Sequence, residues 1–501
     1  MTNPRATHVE TCSDAEDFER SLSEKHRTPK GVEQYGVESV PVVKRTTGFW
    51  DLFGIQMSFQ INNLTITIPA LAVVAGLSVG AAVFAQVLGA ALVFIGYSLL
   101  ATIGAKYGVP GQVASRMAFG PIGAKLIVSV MRSIVSAYWF AWQTIAAALG
   151  LQVIIRAWTG SDVNLVFLST VFAVLQAAVA LTGWESLKWL TRTILPLKII
   201  ILGVVLISFL TSAAPEFSST NIWGKGSWDW VLIATFASTT AAGHLSMYTD
   251  SADLARYART THIAGWSFWP AAVVSATFCG FIGAIAAAAA GEQNWFVAAA
   301  EVHPYAWMYI LLLIVLVADN WFINIMNLYT GGFAIVNVFS RIGRFWSTVI
   351  CATAGILLST WPAVYNNTPA IVTEIGYAFA PVGGILLAHY VVLSGMQLSL
   401  PDLYHSREGL YRYTFGVNPI AVLVAVAVYL VAHAQILPPA SFAELLIVLI
   451  AGGLYVIGMR IAARASGAIA ESFDTSKFVS DRDLLAYEKQ ESKPTIERVG
   501  R

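Results

Sequence analysis

Three ionisable residues of this chain lie inside long stretches of predominantly apolar sequence, where a charge is costly. They are Lys198, Asp319 and Glu374. Ionisable groups in such positions commonly belong to ion or proton pathways. At helical rise, Lys198 would lie roughly 13 Å beyond the nearest basic cluster, so its side chain could instead snorkel to the membrane surface. For Glu374, a hydrogen bond that joins two packed helices is an equal alternative to a role in transport.

A second set of candidates combines a flat aromatic ring with amides. Trp139 and Gln143 are four residues apart and therefore share a helix face, and Asn324 and Asn327 lie on one side of a later helix. Stacking on an aromatic side chain is worth about 1–3 kcal/mol per base in nucleic-acid-binding proteins, and an amide both donates and accepts hydrogen bonds. These residues suit a planar heterocycle with polar atoms on its rim, but a packed aromatic face of a helix bundle has the same pattern.

The composition places these residues in a membrane protein. Of the 501 residues, 56% are hydrophobic and 12% are charged, and the mean hydropathy is +0.66. A soluble protein has roughly 25% charged residues, so this chain cannot cover itself with a water-facing surface. The net charge of +1 leaves no basic stripe for a nucleic acid. The three widely separated cysteines predict neither a disulfide framework nor a metal site.

Twelve apolar segments are long enough, or nearly so, to cross a hydrocarbon core of about 30 Å. The predicted spans are 52–76, 79–103, 123–156, 163–182, 190–213, 227–250, 264–291, 304–338, 346–362, 368–394, 418–435 and 441–460. Lys and Arg concentrate in alternate connecting loops, which predicts a multi-pass protein of the plasma membrane with both termini in the cytoplasm. The polar tails 1–47 and 463–501 are predicted to be solvated and partly disordered, with a regulatory role as the alternative.

Two of these spans are interrupted by polar and small residues near their centres. The interruption covers residues 54–65 of the first span, including Asn62, and residues 237–250 of the sixth span, including Gly243 and His244. Broken helices at matching positions of two halves indicate inverted repeats with a binding site between them. The alternative is that these polar residues only bond neighbouring helices.

Short motifs follow one another in a specific order from about residue 40 to residue 460. They are Gly48-Phe49-Trp50, Lys106-Tyr107-Gly108-Val109-Pro110, Arg116-Met117-Ala118-Phe119-Gly120, Trp139-Phe140-Ala141-Trp142-Gln143-Thr144, Thr182-Gly183-Trp184-Glu185-Ser186-Leu187-Lys188, Ala252-Asp253-Leu254-Ala255-Arg256-Tyr257, Asn324-Ile325-Met326-Asn327-Leu328-Tyr329, Ala380-Pro381-Val382-Gly383-Gly384-Ile385 and Pro401-Asp402-Leu403-Tyr404. With these motifs the chain resembles the nucleobase–cation symporter-1 family of cytosine, purine, uracil, allantoin and hydantoin permeases.

The resemblance implies an all-α membrane fold of twelve transmembrane helices that works by alternating access. Two five-helix inverted repeats, at 48–213 and 226–395, would form the transporter core, with helices one and six broken. Two further helices at 417–462 would follow this core.

The resemblance also assigns roles to particular residues. By position, Trp139 would stack on the solute and Gln143 would hydrogen-bond it, with Asn327, Asn324, Asn62 and Gly243 completing the site. The family's aromatic contact on helix six falls on His244. A histidine can stack, but it adds a donor or acceptor and titrates near neutrality; a histidine satisfied within the core is the alternative.

The coupling site departs from the sodium-coupled members of this fold. In those members, backbone carbonyls of helices one and eight bind the cation together with hydroxyl groups of helix eight. The resemblance places the backbone ligands at Ser58, Ile61 and Ala318, whereas the hydroxyl positions hold Trp321 and Phe322, which offer no oxygen ligand. Proton-coupled relatives of the fold can place a helix-five lysine ammonium there instead. Lys198 is suitably located for this, with Asp319 as a candidate partner.

We therefore expect a proton-coupled secondary symporter that imports a nucleobase or a related planar heterocycle. The nearest alternative is a sodium-coupled permease for hydantoin, allantoin or a heteroaromatic vitamin. An enzyme is not expected, because the sequence has no metal-ligating motif such as His-Glu-x-x-His. No cofactor is predicted besides the coupling ion. Each chain would contain a whole site, so a monomer in the lipid bilayer is expected.

Overall fold

The computed structural model describes residues 12–26, 35–180, 184–291, 294–405, 409–436 and 442–478, and helices make up most of this part of the chain. In the first half the α-helices are α1 Cys12–His26, α2 Phe49–Gln60, α3 Asn63–Val74, α4 Val79–Tyr107, α5 Gly111–Ala114, α6 Arg116–Gly123, α7 Val130–Thr159, α8 Leu165–Ala180, α9 Trp184–Thr211 and α10 Ser219–Trp223. In the second half they are α11 Trp230–Leu245, α12 Ser251–Ala255, α13 Thr261–Ala290, α14 Trp295–Val302, α15 Ala306–Val338, α16 Gly343–Ser359, α17 Ala363–Asn366, α18 Thr368–Leu387, α19 Leu400–Tyr404, α20 Pro419–His433, α21 Ala443–Ala465 and α22 Gly467–Glu471. Residues 182–183, part of one family motif, lie outside the described residues.

Within the described ranges, seven helical segments are long and apolar enough to cross a membrane alone. They are Val79–Tyr107, Arg116–Thr159, Lys188–Thr211, Thr261–Ala290, Ala306–Val338, Ala370–Leu393 and Ala443–Ala465. The bent pair of α2 and α3 makes up to eight. The apolar helices α8, α16 and α20 are shorter, as is α11 with 16 residues. Each of the twelve predicted spans thus contains a helix, although length and composition alone identify only these seven or eight crossings.

The first span is broken where the sequence analysis predicted an interruption. The axes of α2 and α3 meet at 52°, and Asn62 between them has an extended backbone with φ −148° and ψ 169°. The Asn62 side chain accepts a hydrogen bond from the Thr65 amide at 3.1 Å and donates one to the Phe59 carbonyl at 2.9 Å. This side chain therefore caps the start of α3 and holds the end of α2.

The sixth span loses its regular α-helical winding only near the end of its polar stretch. The helix α11 ends at Leu245, a single 3₁₀ turn covers Ser246–Thr249, and α12 begins at Ser251. Residues before this point remain helical, and their polar side chains are satisfied within the helix, as Thr239 is by the Thr235 carbonyl at 3.0 Å. The break lies at the carboxyl end of the predicted interruption.

Close helix packing depends on glycines at the contacts. An added Cβ at Gly283 of α13 would lie 1.8 Å from the Ile66 carbonyl oxygen of α3. At Gly89 of α4 it would lie 2.3 Å from the Ala237 carbonyl oxygen of α11. Small residues let helix backbones approach one another in membranes. The helices that flank the two breaks are therefore held directly against α13 and α4.

Residues 35–47 pack on the helix bundle. Tyr35 and Val40 are 2% and 0% exposed, and the Tyr404 hydroxyl donates to the Val37 carbonyl at 2.6 Å. The prediction of a solvated tail is therefore wrong for these residues. Their backbone carbonyls accept hydrogen bonds from side chains of distant helices, which the polar composition of the segment did not indicate.

Candidate functional site

Lys198 of α9 is fully buried beside the break in the first span. Its ammonium donates to the Ser58 carbonyl at 2.7 Å and to Asp319 Oδ1 at 2.5 Å. The Lys198 side chain is 0% exposed and that of Asp319 is 15% exposed. The alternative in which Lys198 snorkels to the membrane surface is therefore wrong, and the predicted contact with Asp319 is present.

The break itself makes these contacts available. The Ile61 amide donates to the Met57 carbonyl at 3.0 Å, and α2 then ends, so that the Ser58 carbonyl is free to accept from Lys198. On the other side of the break, the Asn63 backbone at the start of α3 approaches the Asp319 carboxylate. The amino end of a helix favours negative charge. Asp319 therefore lies between an ammonium group and the positive end of α3.

The remaining residues at the predicted cation site supply fewer ligands for a cation. Phe322 of α15 is 0% exposed, and its ring centroid lies 6.0 Å from Lys198 Nζ. Trp321 carries a ring nitrogen that has no hydrogen-bond partner in the described part of the chain, but no oxygen. Of the three predicted backbone ligands, which also include Ile61 and Ala318, the Ser58 carbonyl is the one that binds the ammonium.

Trp139 and Gln143 lie on α7 and are buried, at 7% and 2% exposure. The Trp139 ring packs edge-on against Trp142, with centroids 5.9 Å apart. The backbone carbonyl of Gln143 accepts from Asn320 Nδ2 at 2.7 Å, whereas its side-chain Oε1 is buried and has no hydrogen-bond partner among the described residues. The pair thus combines an aromatic ring with an unused acceptor, as the proposed recognition of a heterocycle requires.

The Asn324 side chain of α15 has several hydrogen-bond partners on other helices, whereas the Asn327 side chain bonds Asn324 on its own helix. Asn324 Nδ2 donates to Thr144 Oγ1 at 2.9 Å and also to Gln176 Oε1, which joins α15 to α7 and α8. Asn324 Oδ1 accepts from Asn327 Nδ2 at 3.2 Å. The Asn324 amide is therefore used within the protein, which favours a role in helix packing over the predicted contact with a solute. Gln176 was not predicted, although it is a lone amide in an otherwise apolar stretch.

His244 and its neighbours lie at the carboxyl end of α11. Its ring contacts Phe94 edge-on, with centroids 5.6 Å apart. Its Nδ1 lies 2.6 Å from the Thr240 carbonyl oxygen, and its Nε2 lies 2.8 Å from Gln60 Oε1. An added Cβ at Gly243 would meet only Leu64, at 3.7 Å. His244 is thus tied to the first span by Gln60, a residue the sequence analysis did not single out, and there is room beside it at Gly243.

Glu374 lies apart from these groups. Its carboxylate is 2.9 Å from His433 Nδ1 and accepts from the Tyr429 hydroxyl at 3.3 Å. The Glu374 side chain is 44% exposed. These contacts join α18 to α20, so the structure favours the helix-packing alternative for Glu374 over its predicted role in coupling.

The helix break, the buried ion pair and the buried amides together are the features of a multi-pass membrane transporter. Residues 39–457 match the sequence family described as permeases for cytosine/purines, uracil, thiamine and allantoin. The chain belongs to this family, the nucleobase–cation symporter-1 family that its motifs resemble.

Relatives and solved structures agree with this assignment. Hydantoin permease of Microbacterium maritypicum is 28% identical over 356 residues, which cover 66% of this chain and 69% of that permease. Allantoin permease of Bacillus subtilis (strain 168) is 25% identical over 387 residues, covering 70% of this chain and 77% of the permease. Mhp1, a nucleobase–cation-symport-1 family transporter solved in a closed conformation with bromovinylhydantoin bound, superposes with a TM-score of 0.75 at 23% identity, covering 88% of this chain and 99% of that one. The likeness to Mhp1 shows that the fold is shared.

Proposed function

We propose that the chain is a secondary active symporter that imports a nucleobase or a related planar heterocycle by alternating access. Its relatives include permeases for hydantoin and allantoin. Trp139 supplies an aromatic ring, and the unpartnered Oε1 of Gln143 would accept from a ring N–H group. The two repeats, 48–213 and 226–395, would move against each other around the helix breaks.

We infer that the coupling ion is the proton. The observation that supports this most is the position of the Lys198 ammonium, which bonds both the Ser58 carbonyl, a predicted cation ligand, and Asp319. A protonated Lys198 would hold α2, α9 and α15 together while the solute loads. Release of the proton to the cytoplasm would remove the charge on Lys198, weaken both bonds and let α2 move as the solute leaves.

Sodium coupling would require a different arrangement of the same residues. A sodium ion at the Ser58 carbonyl would lie beside the buried Lys198 ammonium, and the two positive charges would repel each other, so the lysine would have to move away. Trp321 and Phe322 then supply no oxygen to complete a sodium shell. These two positions favour the proton over sodium.

Uptake into proteoliposomes tests the proposal. Radiolabelled hydantoin, cytosine and allantoin are offered under an inward proton gradient, with and without a protonophore and in sodium-free buffer, and separately under an inward sodium gradient. We expect accumulation that the protonophore abolishes and that sodium removal leaves unchanged. Accumulation that requires sodium and survives the protonophore would overturn proton coupling. If none of the solutes enters under either gradient, the transport proposal for this solute class is wrong.

We further propose twelve membrane crossings, a monomer and two cytoplasmic termini in the plasma membrane. The basic residues of alternate loops support this orientation. Cysteines introduced near Lys225 and near Arg341 would lie on opposite sides of the membrane. A membrane-impermeant maleimide applied to intact cells should therefore label the first and not the second, and the reverse labelling would invert the topology.

A further inference from the structure

Gln60 and His244 form a buried hydrogen-bonded pair between the first and sixth spans. His244 Nε2 lies 2.8 Å from Gln60 Oε1, and His244 Nδ1 lies 2.6 Å from the Thr240 carbonyl oxygen. His244 is 7% exposed and Gln60 is 3% exposed. Both ring nitrogens of His244 thus have partners in the protein. A solute would meet the face of the imidazole ring, as the aromatic position of the family implies, and not its nitrogen atoms.

The protonation state of His244 decides which way the Gln60 amide must turn. The Thr240 carbonyl can only accept, so Nδ1 carries a hydrogen in either state. In neutral His244, Nε2 is a bare acceptor and requires the NH₂ group of Gln60. In protonated His244, Nε2 is a donor and requires the Gln60 oxygen. A half-turn of the amide exchanges the two atoms without moving the rest of the side chain.

The amide atom of Gln60 that does not face His244 is left for another partner. With Oε1 on His244, Nε2 of Gln60 is buried and has no hydrogen-bond partner in the described part of the chain. Buried polar groups are normally hydrogen-bonded, so an unused one at a binding site indicates a ligand contact. Gln143 Oε1, on α7, is also buried and unpartnered among the described residues.

We propose that Gln60 and His244 act as one proton-dependent selector of the solute. When His244 is protonated, Gln60 presents its NH₂ group and favours an exocyclic carbonyl of the solute. When His244 is neutral, Gln60 presents its oxygen and favours an exocyclic amino group. The inference rests on the proposed binding of a planar heterocycle and goes beyond it. It names the residue that hydrogen-bonds one edge of the ring and makes this hydrogen bond depend on pH.

Other titratable side chains lie on the elements that pack against α11. They are Tyr97, Lys106 and Tyr107 on α4, Tyr248 in the 3₁₀ turn, Glu374 and Tyr377 on α18, and Glu444, Tyr455, Arg460 and Arg464 on α21, whereas α3 carries none. The buried ion pair of Arg132 and Asp250, at 2.6 Å, also lies beside this turn, because Arg132 donates to the Ser246 carbonyl. Glu444 approaches Ser238, which precedes His244 by roughly 9 Å at helical rise. Lys198 and Asp319 contact the first span at the Ser58 carbonyl, two residues before Gln60. Any pH effect that comes from these groups is unchanged when His244 alone is replaced, which gives the experiment its control.

Uracil and cytosine provide a matched pair of probes. They differ at position 4, where uracil carries a carbonyl and cytosine an amino group, and in the opposite sense at N3, which carries a hydrogen in uracil and none in cytosine. We take the exocyclic group at position 4 as the one that Gln60 contacts. Their dissociation constants are measured by isothermal titration calorimetry on the purified full-length protein, between about pH 5.5 and 8. We expect the ratio of the cytosine constant to the uracil constant to fall at least tenfold as the pH rises, because the Gln60 donor is replaced by an acceptor.

Two variants test the origin of this change. His244→Phe keeps a flat ring and Gln60→Met keeps the length of the side chain without the amide, and in both we expect the ratio to be independent of pH. A constant ratio in the unmodified protein, or the same pH dependence in His244→Phe, would overturn the selector while leaving nucleobase binding intact. If neither pyrimidine binds at any pH, the proposed binding of nucleobases fails together with the selector.

Discussion

The charges of Lys198 and Asp319 stabilise each other strongly because both lie in a low-dielectric interior. Their atoms are 2.5 Å apart, and removing one partner from a buried ion pair typically costs about 3–5 kcal/mol, because the other charge is left uncompensated. Replacing both partners by apolar groups is often neutral for stability. Fold stability and proton coupling can therefore be separated by mutation.

The first prediction uses this difference. We expect Asp319→Asn to lower the melting temperature in detergent more than the double variant Lys198→Met with Asp319→Leu, and both to lose proton-driven accumulation. Melting is followed by intrinsic fluorescence and accumulation by vesicle uptake. The control is Asp51→Asn, which breaks the exposed Arg192–Asp51 pair at 2.9 Å between α9 and α2, because surface pairs contribute only about 0–1 kcal/mol. A double variant that is less stable than Asp319→Asn would contradict the prediction.

A second prediction concerns the aromatic ring of the candidate site. Trp139→Ala should weaken binding of the transported heterocycle by about 5- to 150-fold, which corresponds to the 1–3 kcal/mol of a base stacked on an aromatic side chain. Trp158→Ala, on the same helix but 47% exposed, should leave binding unchanged. Titration calorimetry measures both. Equal losses in the two variants would show that Trp139 has no specific role in binding.

The sequence predicted the chemical types in the site better than their contacts. Lys198 and Asp319 could be recognised individually, because a charge in an apolar stretch is rare. Gln60 and Gln176 were missed, because an amide in a helix indicates a polar contact without indicating its partner. Asn324 was assigned to the solute site, and Glu374 was left open between transport and helix packing, whereas the geometry favours helix packing for both. Which of these amides lacks a hydrogen-bond partner depends on how the helices pack against one another, and the sequence alone does not give that packing.

At the scale of the helices, close contacts make some glycines irreplaceable. Gly283→Ala should lower both the melting temperature and the uptake rate, because its Cβ would lie 1.8 Å from the Ile66 carbonyl oxygen and force α13 away from α3. Gly280→Ala is the matched control on the same helix, since its Cβ would lie at ordinary contact distances from Val83, 3.4 Å from the side chain and 3.6 Å from Cα. If the two variants have the same stability and uptake, α3 is not held as closely as the structure indicates.

The two helix breaks were not equally predictable. Asn62 is a good amino-terminal cap in the middle of an apolar span, so the position of the first break follows from local sequence. In the sixth span, polar side chains such as Thr239 bond back to the helix instead of ending it. The break there falls after Leu245, at a point that the polar stretch alone does not specify.

At the scale of the whole molecule, Arg256 anchors the segment 35–47 to the bundle. Its guanidinium is 0% exposed, donates to the Tyr35 carbonyl at 2.8 Å and to the Gly36 carbonyl at 3.1 Å, and lies 4.3 Å from the Phe333 ring centroid. The polar and charged composition of the segment had predicted a solvated tail. The contacts that bury it come from residues hundreds of positions away, which composition cannot reveal.

The last prediction follows from this anchor. Arg256→Ala should raise amide hydrogen exchange in residues 35–40 at least tenfold, because two backbone carbonyls lose their partner. Arg259→Ala is the control, since Arg259 is exposed and bonds the Thr46 carbonyl instead. Mass spectrometry of exchanged peptides measures both variants. Exchange in residues 35–40 that does not respond to Arg256→Ala would show that other contacts hold the segment.

The same segment has a consequence for biosynthesis. Val37 accepts from Tyr404, a partner 367 residues further along the chain. Residues 35–47 are synthesised long before Tyr404 and therefore cannot reach their final place until most of the helices described above have been made. Docking of these residues would be among the last events of assembly, and a protease that cuts only the undocked segment would report how far maturation has advanced.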